Sequence, residues 1–358
     1  MINAKMIARI MGALFFIEAG FLILCSFLAV YYNESDISAF LYSAAITAGA
    51  GSIAALAGKN AEKENQPPRW IRYCNPCLGV FFSLFGMLPF YLSGYIPTIT
   101  DAFFETMSGF TTTGASILDN IESLPHGLLF WRSMTQWIGG LGIVFFTIAV
   151  LPIFGVGSVQ LFAAEATGPT HDKVHPRIGV TAKWIWTIYL GLTITEIILL
   201  VAGGMNFFDS VCHSLTTTAT GGYSTKQNSI AAFNSPYIEY IITLFMFLAG
   251  INFTLLYLLF LKGNFKRLFQ NTELHWYLGT VGFFTLFTTV TLIFTSPFSI
   301  EESFRKAIFQ VVFLTNHYRI HFCRLYDLGT CTLDINVHHH AVWSLCRIHH
   351  RRNKNVYA

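Results

Sequence analysis

Apolar residues run in seven long stretches, at Met6 to Tyr31, Ile37 to Leu56, Cys74 to Ser93, Trp131 to Phe154, Val180 to Val201, Ile238 to Leu261 and Trp276 to Thr295. Each approaches the roughly 20 residues a helix needs to cross a bilayer. The pattern therefore predicts an all-α, polytopic membrane protein. The first stretch is too long and too aromatic for a signal-peptide core, and no small-residue cleavage site follows it, so it is read as retained.

Between these stretches a unit recurs: span, short amphipathic stretch, Thr/Gly-rich turn, span. Its first copy passes from Cys74–Ser93 through Asp101 to Phe110, then Thr111-Thr112-Thr113-Gly114-Ala115-Ser116, into the next span. The second passes from Val180–Val201 through Phe208 to Leu215, then Thr216 to Ser224. A third begins at Trp276 and continues into Glu301 to Val312, where a Thr-Thr-Thr-Gly turn should follow and does not. Each linking stretch is too short to span a bilayer yet apolar enough to be buried, which predicts a re-entrant pore helix. Non-helical backbone at membrane depth is tolerated only where it packs in protein or lines a watery cavity. One such turn alone reads equally well as a Thr-rich external loop; two at the same place in a repeat favour a pore.

Composition agrees. The chain has 358 residues, of which 53% are hydrophobic and 11% charged, against roughly 25% charged in soluble domains. Basic residues gather in alternate loops: Lys5 and Arg9; Lys59, Lys63, Arg69 and Arg72; Lys173, Arg177 and Lys183; Lys262, Lys266 and Arg267. The positive-inside rule makes these loops, and the N-terminus, cytoplasmic. The net charge of +3 then follows from topology and does not indicate nucleic-acid binding. Cys25 falls in a span and Cys212 in a re-entrant stretch, so the Cys residues form no disulfide framework. Cys74-Asn75-Pro76-Cys77 has the spacing of a redox or zinc half-site, but no second Cys/His pair accompanies it.

The turns carry the candidate chemistry. A dehydrated cation needs several oxygen ligands at once, and extended backbone supplies them as carbonyls. Glycine lets that backbone adopt conformations closed to other residues, and the pore helix presents its negative end to the turn. Gly114 and Gly221 are the expected central filter glycines. Glu105 and Asp209, on the pore helices, are expected to draw cations to the outer mouth. Glu196 lies mid-span, where a carboxylate is a functional candidate and a structural, hydrogen-bonded role fits equally. Glu165, His171 and His175 lack helical ligand spacing and read as solvated loop.

The strings DAFFETMSGFTTTGAS, WRSMTQWIGGLGIVFFTIAVLP, EATGP and TTTATGGYST resemble the TrkH/KtrB family of potassium-uptake membrane subunits, over residues 1 to about 313. The resemblance implies four helix, pore-helix, helix repeats around one ion path, without cofactor or enzymatic activity. It implies ion-facing carbonyls at Thr111, Thr112, Thr113 and Gly114 and at Ala219, Thr220, Gly221 and Gly222. It further implies potassium as the ion, a bacterial inner-membrane location within membrane lipid, a homodimer, and a cytosolic nucleotide-binding regulatory subunit. Arg132, Gln136, Gly139, Gly140 and Gly142 match a family stretch after the first turn. Close helix packing explains the glycines, and snorkelling explains Arg132. The division that results is a leading helix pair (1–58), a cytoplasmic loop (59–73), a first pore unit (74–155), a second loop (156–179), a second pore unit (180–262), a partial third unit (263–313) and a tail (314–358).

The tail differs in kind. Seven of the twelve His and three of the seven Cys lie in the last 45 residues. His338-His339-His340 with Cys331 and Cys346 has the composition of a metal site. A shifted reading frame explains it otherwise: Asn316 to Ile320 then permits the missing Thr-Thr-Thr-Gly, and Arg347 to Asn355 permits a Gly-rich stretch resembling the family's third-repeat gate loop. A frameshift near Phe313 is therefore expected, and with it a chain that does not conduct alone. The competing readings are a secondary transporter, whose sign is inverted repeats with broken helices, and a membrane protein with a His-rich metal-binding tail.

Overall fold

The computed structural model describes residues 4–59, 71–142, 178–260, 263 and 271–326, and the regular structure among them is helical. Helices α1 (Ala4–Tyr32) and α2 (Ile37–Ala57) form a leading hairpin. Small residues set its separation: a Cβ on Gly12 would lie 2.7 Å from the Ala55 nitrogen and 2.9 Å from the Gly51 carbonyl oxygen. In lipid, where apolar surface gains nothing by hiding from apolar solvent, such close backbone approach is what holds helices together.

The expected third span is interrupted at Met87. It comprises α3 (Ile71–Gly86) and the short α4 (Leu88–Leu92). Pro89 has no amide hydrogen to give the preceding turn, and its ring crowds the carbonyl there. The helix axis nevertheless continues, because the Met87 amide still bonds the Ser83 carbonyl and the Tyr91 amide the Met87 carbonyl. The 12-residue α5 (Ile99–Phe110) follows, then α6 (His126–Gly140), the described part of the fourth span.

The second unit repeats this order. It runs α7 (Ile178–Ala202), the 12-residue α8 (Phe207–Thr218), α9 (Pro236–Ala249) and α10 (Phe253–Phe260). The sixth stretch, expected as one span, thus breaks at Gly250-Ile251-Asn252. Asn316 occupies the break: its side-chain amide donates to the Met246 carbonyl at 2.7 Å, and its Oδ1 accepts from the Tyr277 hydroxyl at 2.9 Å. Among the described residues, four helical segments are long and apolar enough to cross a membrane: Ile7–Tyr32, Ile37–Ala57, Trp184–Ala202 and Thr272–Thr295.

Helix α11 (Thr272–Thr295) leads into α12 (Ile300–Tyr326), which packs against α9 and α11. Where the first two units stop after 12 residues, α12 runs on for 27. No Gly or Pro lies between Leu314 and Tyr326 to end it. Among the described residues the third unit has no turn corresponding to the first two. The 143–177 segment, with Glu165, His171 and His175, and the tail from 327, with its His cluster, lie outside the described residues.

The connections after α1, α5 and α8 meet at one end of the bundle. His126 Nδ1 lies 2.6 Å from Glu34, the Tyr32 ring stacks on His126 at 4.1 Å, and Gln227 accepts the Ile121 amide at 3.1 Å. Large apolar side chains such as Phe27, Ile53, Ile198, Phe283 and Leu286 cover the outside, the surface expected of a chain solvated by lipid.

Gly12→Leu forces side-chain atoms into the α2 backbone and is expected to lower stability by about 1–3 kcal/mol. Thermal unfolding of the detergent-solubilised protein, followed by tryptophan fluorescence, measures this; an unchanged midpoint would show that the hairpin separates without loss.

Candidate functional site

The two short helices begin and end alike. Thr98 Oγ1 caps the first by accepting the Asp101 amide at 3.2 Å, and Asn206 Oδ1 caps the second by accepting the Asp209 amide at 2.7 Å. Both finish in a Schellman arrangement, whose two crossed bonds satisfy the last helical carbonyls. Thr112 and Thr113 donate to the Gly109 and Ser108 carbonyls, both at 2.9 Å, while Thr220 and Gly221 donate to Thr217 and Thr216 at 2.8 and 2.9 Å. Thr112 and Thr220 both have φ of +54°, left-handed values that a β-branched residue adopts only under constraint. Each left-handed L-residue costs roughly 1–2 kcal/mol, so the surroundings hold both turns.

One register relates the turns throughout. Asp101 corresponds to Asp209, Ser108 to Thr216, Thr112 to Thr220, and Gly114 to Gly222. The last pair shares positive φ, +71° at Gly114 and +82° at Gly222. The sequence reading pairs Gly114 with Gly221; the backbone corrects this by one residue, placing Gly221 opposite Thr113. Gly221 has a different task. A Cβ there would enter the Gln136 carboxamide, and a Cβ on Gly114 would strike the Gly221 carbonyl. The two turns thus lie side by side at glycine-only separation.

The same register pairs Glu105 with His213 and Ser116 with Ser224, and in each unit the first residue braces the second. Ser116 Oγ donates to Glu105 Oε1 at 3.1 Å, and the Ile117 amide donates to Oε2 at 3.0 Å. In the second unit Ser224 Oγ lies 2.9 Å from His213 Nε2, while His213 Nδ1 lies 2.7 Å from the Asp209 carbonyl. A carbonyl only accepts, so Nδ1 carries the proton and Nε2 is free to accept from the serine. Asp209 itself accepts from Thr225 Oγ1 at 2.5 Å.

Arg132 joins the two units. Its Nε donates to Glu105 Oε1 at 2.6 Å, its Nη1 to the Ser224 carbonyl at 3.0 Å, and its guanidinium carbon sits 3.6 Å from the centre of the Tyr223 ring. The Tyr223 hydroxyl donates to the Glu105 carbonyl at 2.8 Å, and its amide to Gln136 Oε1 at 3.2 Å. Arg132 is 3% exposed and Glu105 1%. Arg132 therefore does not snorkel, and Glu105 and Asp209, expected to draw cations from solution, are both buried with hydrogen-bonded partners. Their buried charge and hydrogen bonds are spent on holding the turns.

The glycines of α6 pack closely, as expected from their size. A Cβ on Gly139 would strike the Phe110 carbonyl, and one on Gly140 would lie 2.7 Å from the Ala219 Cα. Glu196 is fully buried beside Thr217 and Thr218 at the end of the second short helix. Cys25 and Cys212 are free and buried. No group of metal-ligating side chains occurs among the described residues. Sequence reasoning missed Tyr223, His213 and Ser224 as parts of the brace. Aligning the two units from their caps would have found the last two.

A protein-family model described as TrkH, cation transport protein, matches residues 80–318. The Trk system potassium uptake protein TrkH of Halomonas elongata is 35% identical over 315 residues, 87% of this chain. The protein of that name from Escherichia coli (strain K12) is 37% identical over 311 residues, 86% of the chain. The crystal structure of the potassium transporter TrkH from Vibrio parahaemolyticus superposes with a TM-score of 0.74 at 28% identity, over 88% of this chain. In each case the chain spans 64% of the length of the protein it matches.

Removing one partner of the Glu105–Arg132 pair leaves the other charge buried alone, at a cost of about 3–5 kcal/mol. Glu105→Ala and Arg132→Ala are each expected to reach that range in chemical unfolding, and the double variant to cost clearly less than their sum. Additive losses would show that the two side chains act independently.

Proposed function

Because the chain belongs to the TrkH family of cation transport proteins, we propose that it is the membrane subunit, or part of one, of a bacterial potassium uptake system. The observation that carries this reading is the pair of matching turns, each at the C-terminal end of a short buried helix and each pressed against the other at Gly114 and Gly221. Thr111 to Gly114 and Ala219 to Gly222 would offer backbone carbonyls that replace water around a potassium ion. The helix ends behind them favour positive charge. Both units run in the same sense, span, short helix, turn, span, which argues against a transporter built on inverted repeats.

The reading extends to topology and partners. The basic loops and the N-terminus face the cytoplasm, so the end where His126 meets Glu34 faces outward. The family resemblance adds a second copy of the subunit and a cytosolic nucleotide-binding regulatory subunit. Transport, rather than an enzymatic reaction, is the activity.

Potassium should stabilise the folded chain if the turns bind it. A ligand at about 100 times its Kd adds about 2.7 kcal/mol. The midpoint of thermal unfolding in detergent is therefore expected to rise with potassium or rubidium at constant ionic strength, relative to N-methylglucamine. Gly114→Ala, strained by its positive φ and blocked by the Gly221 carbonyl, is expected to abolish the rise. Identical midpoints in all salts would defeat the reading.

A further inference from the structure

A fully buried carboxyl lies behind each short helix, and the two come from different places. In the second unit Glu196 belongs to α7, the unit's own outer helix, and sits beside Thr217 and Thr218. Its counterpart in the first unit follows from the caps that end the two outer helices. Gly94 and Gly204 have φ of +78° and +88°, and the bonds before them match: Ser93 to Pro89 and Gly94 to Tyr91 in one, Gly203 to Leu199 and Gly204 to Val201 in the other. Counting back equally from these glycines sets Gly86 opposite Glu196. The helical bonds across Met87 keep that count valid through the interruption.

Gly86 has no side chain, and the place is filled by another helix. A Cβ on Gly86 would lie 3.0 Å from Glu18 Oε1, 2.8 Å from the Phe110 ring and 3.0 Å from the Thr106 methyl. Glu18 belongs to α1 of the leading hairpin, is fully buried, and its carboxyl has no hydrogen-bond partner among the described residues. Phe110 and Thr106 line the last turn of the first short helix, and Phe110 shares its register with Thr218. Gly86 is itself held in place, since Trp131 Nε1 donates to its carbonyl at 2.8 Å. A buried, unpartnered acid is expensive in apolar surroundings, and here it enters a gap that a side chain fills in the other unit.

We propose that Glu18 is the first unit's substitute for Glu196: a positioning residue, delivered by the leading hairpin through the gap at Gly86, that sets the last turn of the first short helix and through it the cation affinity of the Thr111–Gly114 turn. The proposal rests on the potassium reading above for its functional part and on the register of the two units for the rest. The leading pair thereby becomes a working piece of the first pore unit rather than an accessory to it.

The test moves the carboxyl to the unit's own helix. Glu18→Ala, Glu18→Gln, Glu18→Ala with Gly86→Glu, and Glu18→Ala with Gly86→Ser are compared in two readouts. One is the melting midpoint without alkali cations; the other is the potassium concentration giving half of the full stabilisation. Glu18→Ala is expected to lower the first and raise the second several-fold. Gly86→Glu, but not Gly86→Ser, is expected to restore both in the Glu18→Ala background. Should the alanine variants not fold, Glu18→Gln, which keeps the shape, is expected to raise the potassium requirement by itself. An unchanged potassium requirement in the Glu18 variants, or equal rescue by serine and glutamate, overturns the proposal. If no form of the protein responds to potassium, the transport reading fails and the functional half of the proposal with it, while rescue of the melting midpoint still judges whether the two carboxyls are equivalent.

Discussion

The buried pair between Glu105 and Arg132 is the contact on which the rest of the arrangement depends. A carboxylate and a guanidinium withdrawn from water recover their lost hydration only through close geometry and further hydrogen bonds. Both conditions hold. Glu105 also accepts from Ser116 and Ile117, and Arg132 also reaches the Ser224 carbonyl and the Tyr223 ring. One arginine on α6 thereby fixes the segment after the first turn and the segment after the second in a common frame. Tyr223 and Gln136 then tie the two frames together.

Lipid shapes the remainder. Every interruption of a helix at membrane depth frees backbone groups that need partners. At Gly250 the Met246 carbonyl finds Asn316 and the Gly250 amide. At the ends of α5 and α8 the Schellman bonds do the same work. The second unit substitutes a neutral imidazole–serine contact for the carboxylate–serine contact of the first. The two units thus keep one backbone while holding it with different chemistry.

Much of this was legible in the sequence, and the reason is hydropathy. Long apolar runs announce spans, and ten-residue amphipathic runs beside Thr/Gly turns announce helices that enter without crossing. The interruption before Pro89 was visible in principle, because proline's missing donor is a local fact. The break at Gly250 was not, since it relies on Asn316 arriving from another helix. The role of Arg132 was misjudged for the same reason: an arginine near a span end snorkels unless a buried carboxylate meets it, and only the fold reveals Glu105. The register error at Gly221 arose because consecutive glycines in a Thr-rich run offer two alignments, which only backbone angles separate. Likewise α12 continues through a segment where the repeat called for a turn, since no residue there ends a helix.

The left-handed threonines at 112 and 220 bear on how far the two units depend on each other. A turn whose own residues disfavour its shape is not held by local preference alone. It keeps that shape through its braces. The hydroxyl that steadies the Glu105 carbonyl belongs to Tyr223, 118 residues later in the chain. The first unit's own Ser116 and Ile117 brace its turn from within, and the second unit adds the contact from Tyr223 that completes it. Separate repeats in sequence, the two units share their braces in the fold.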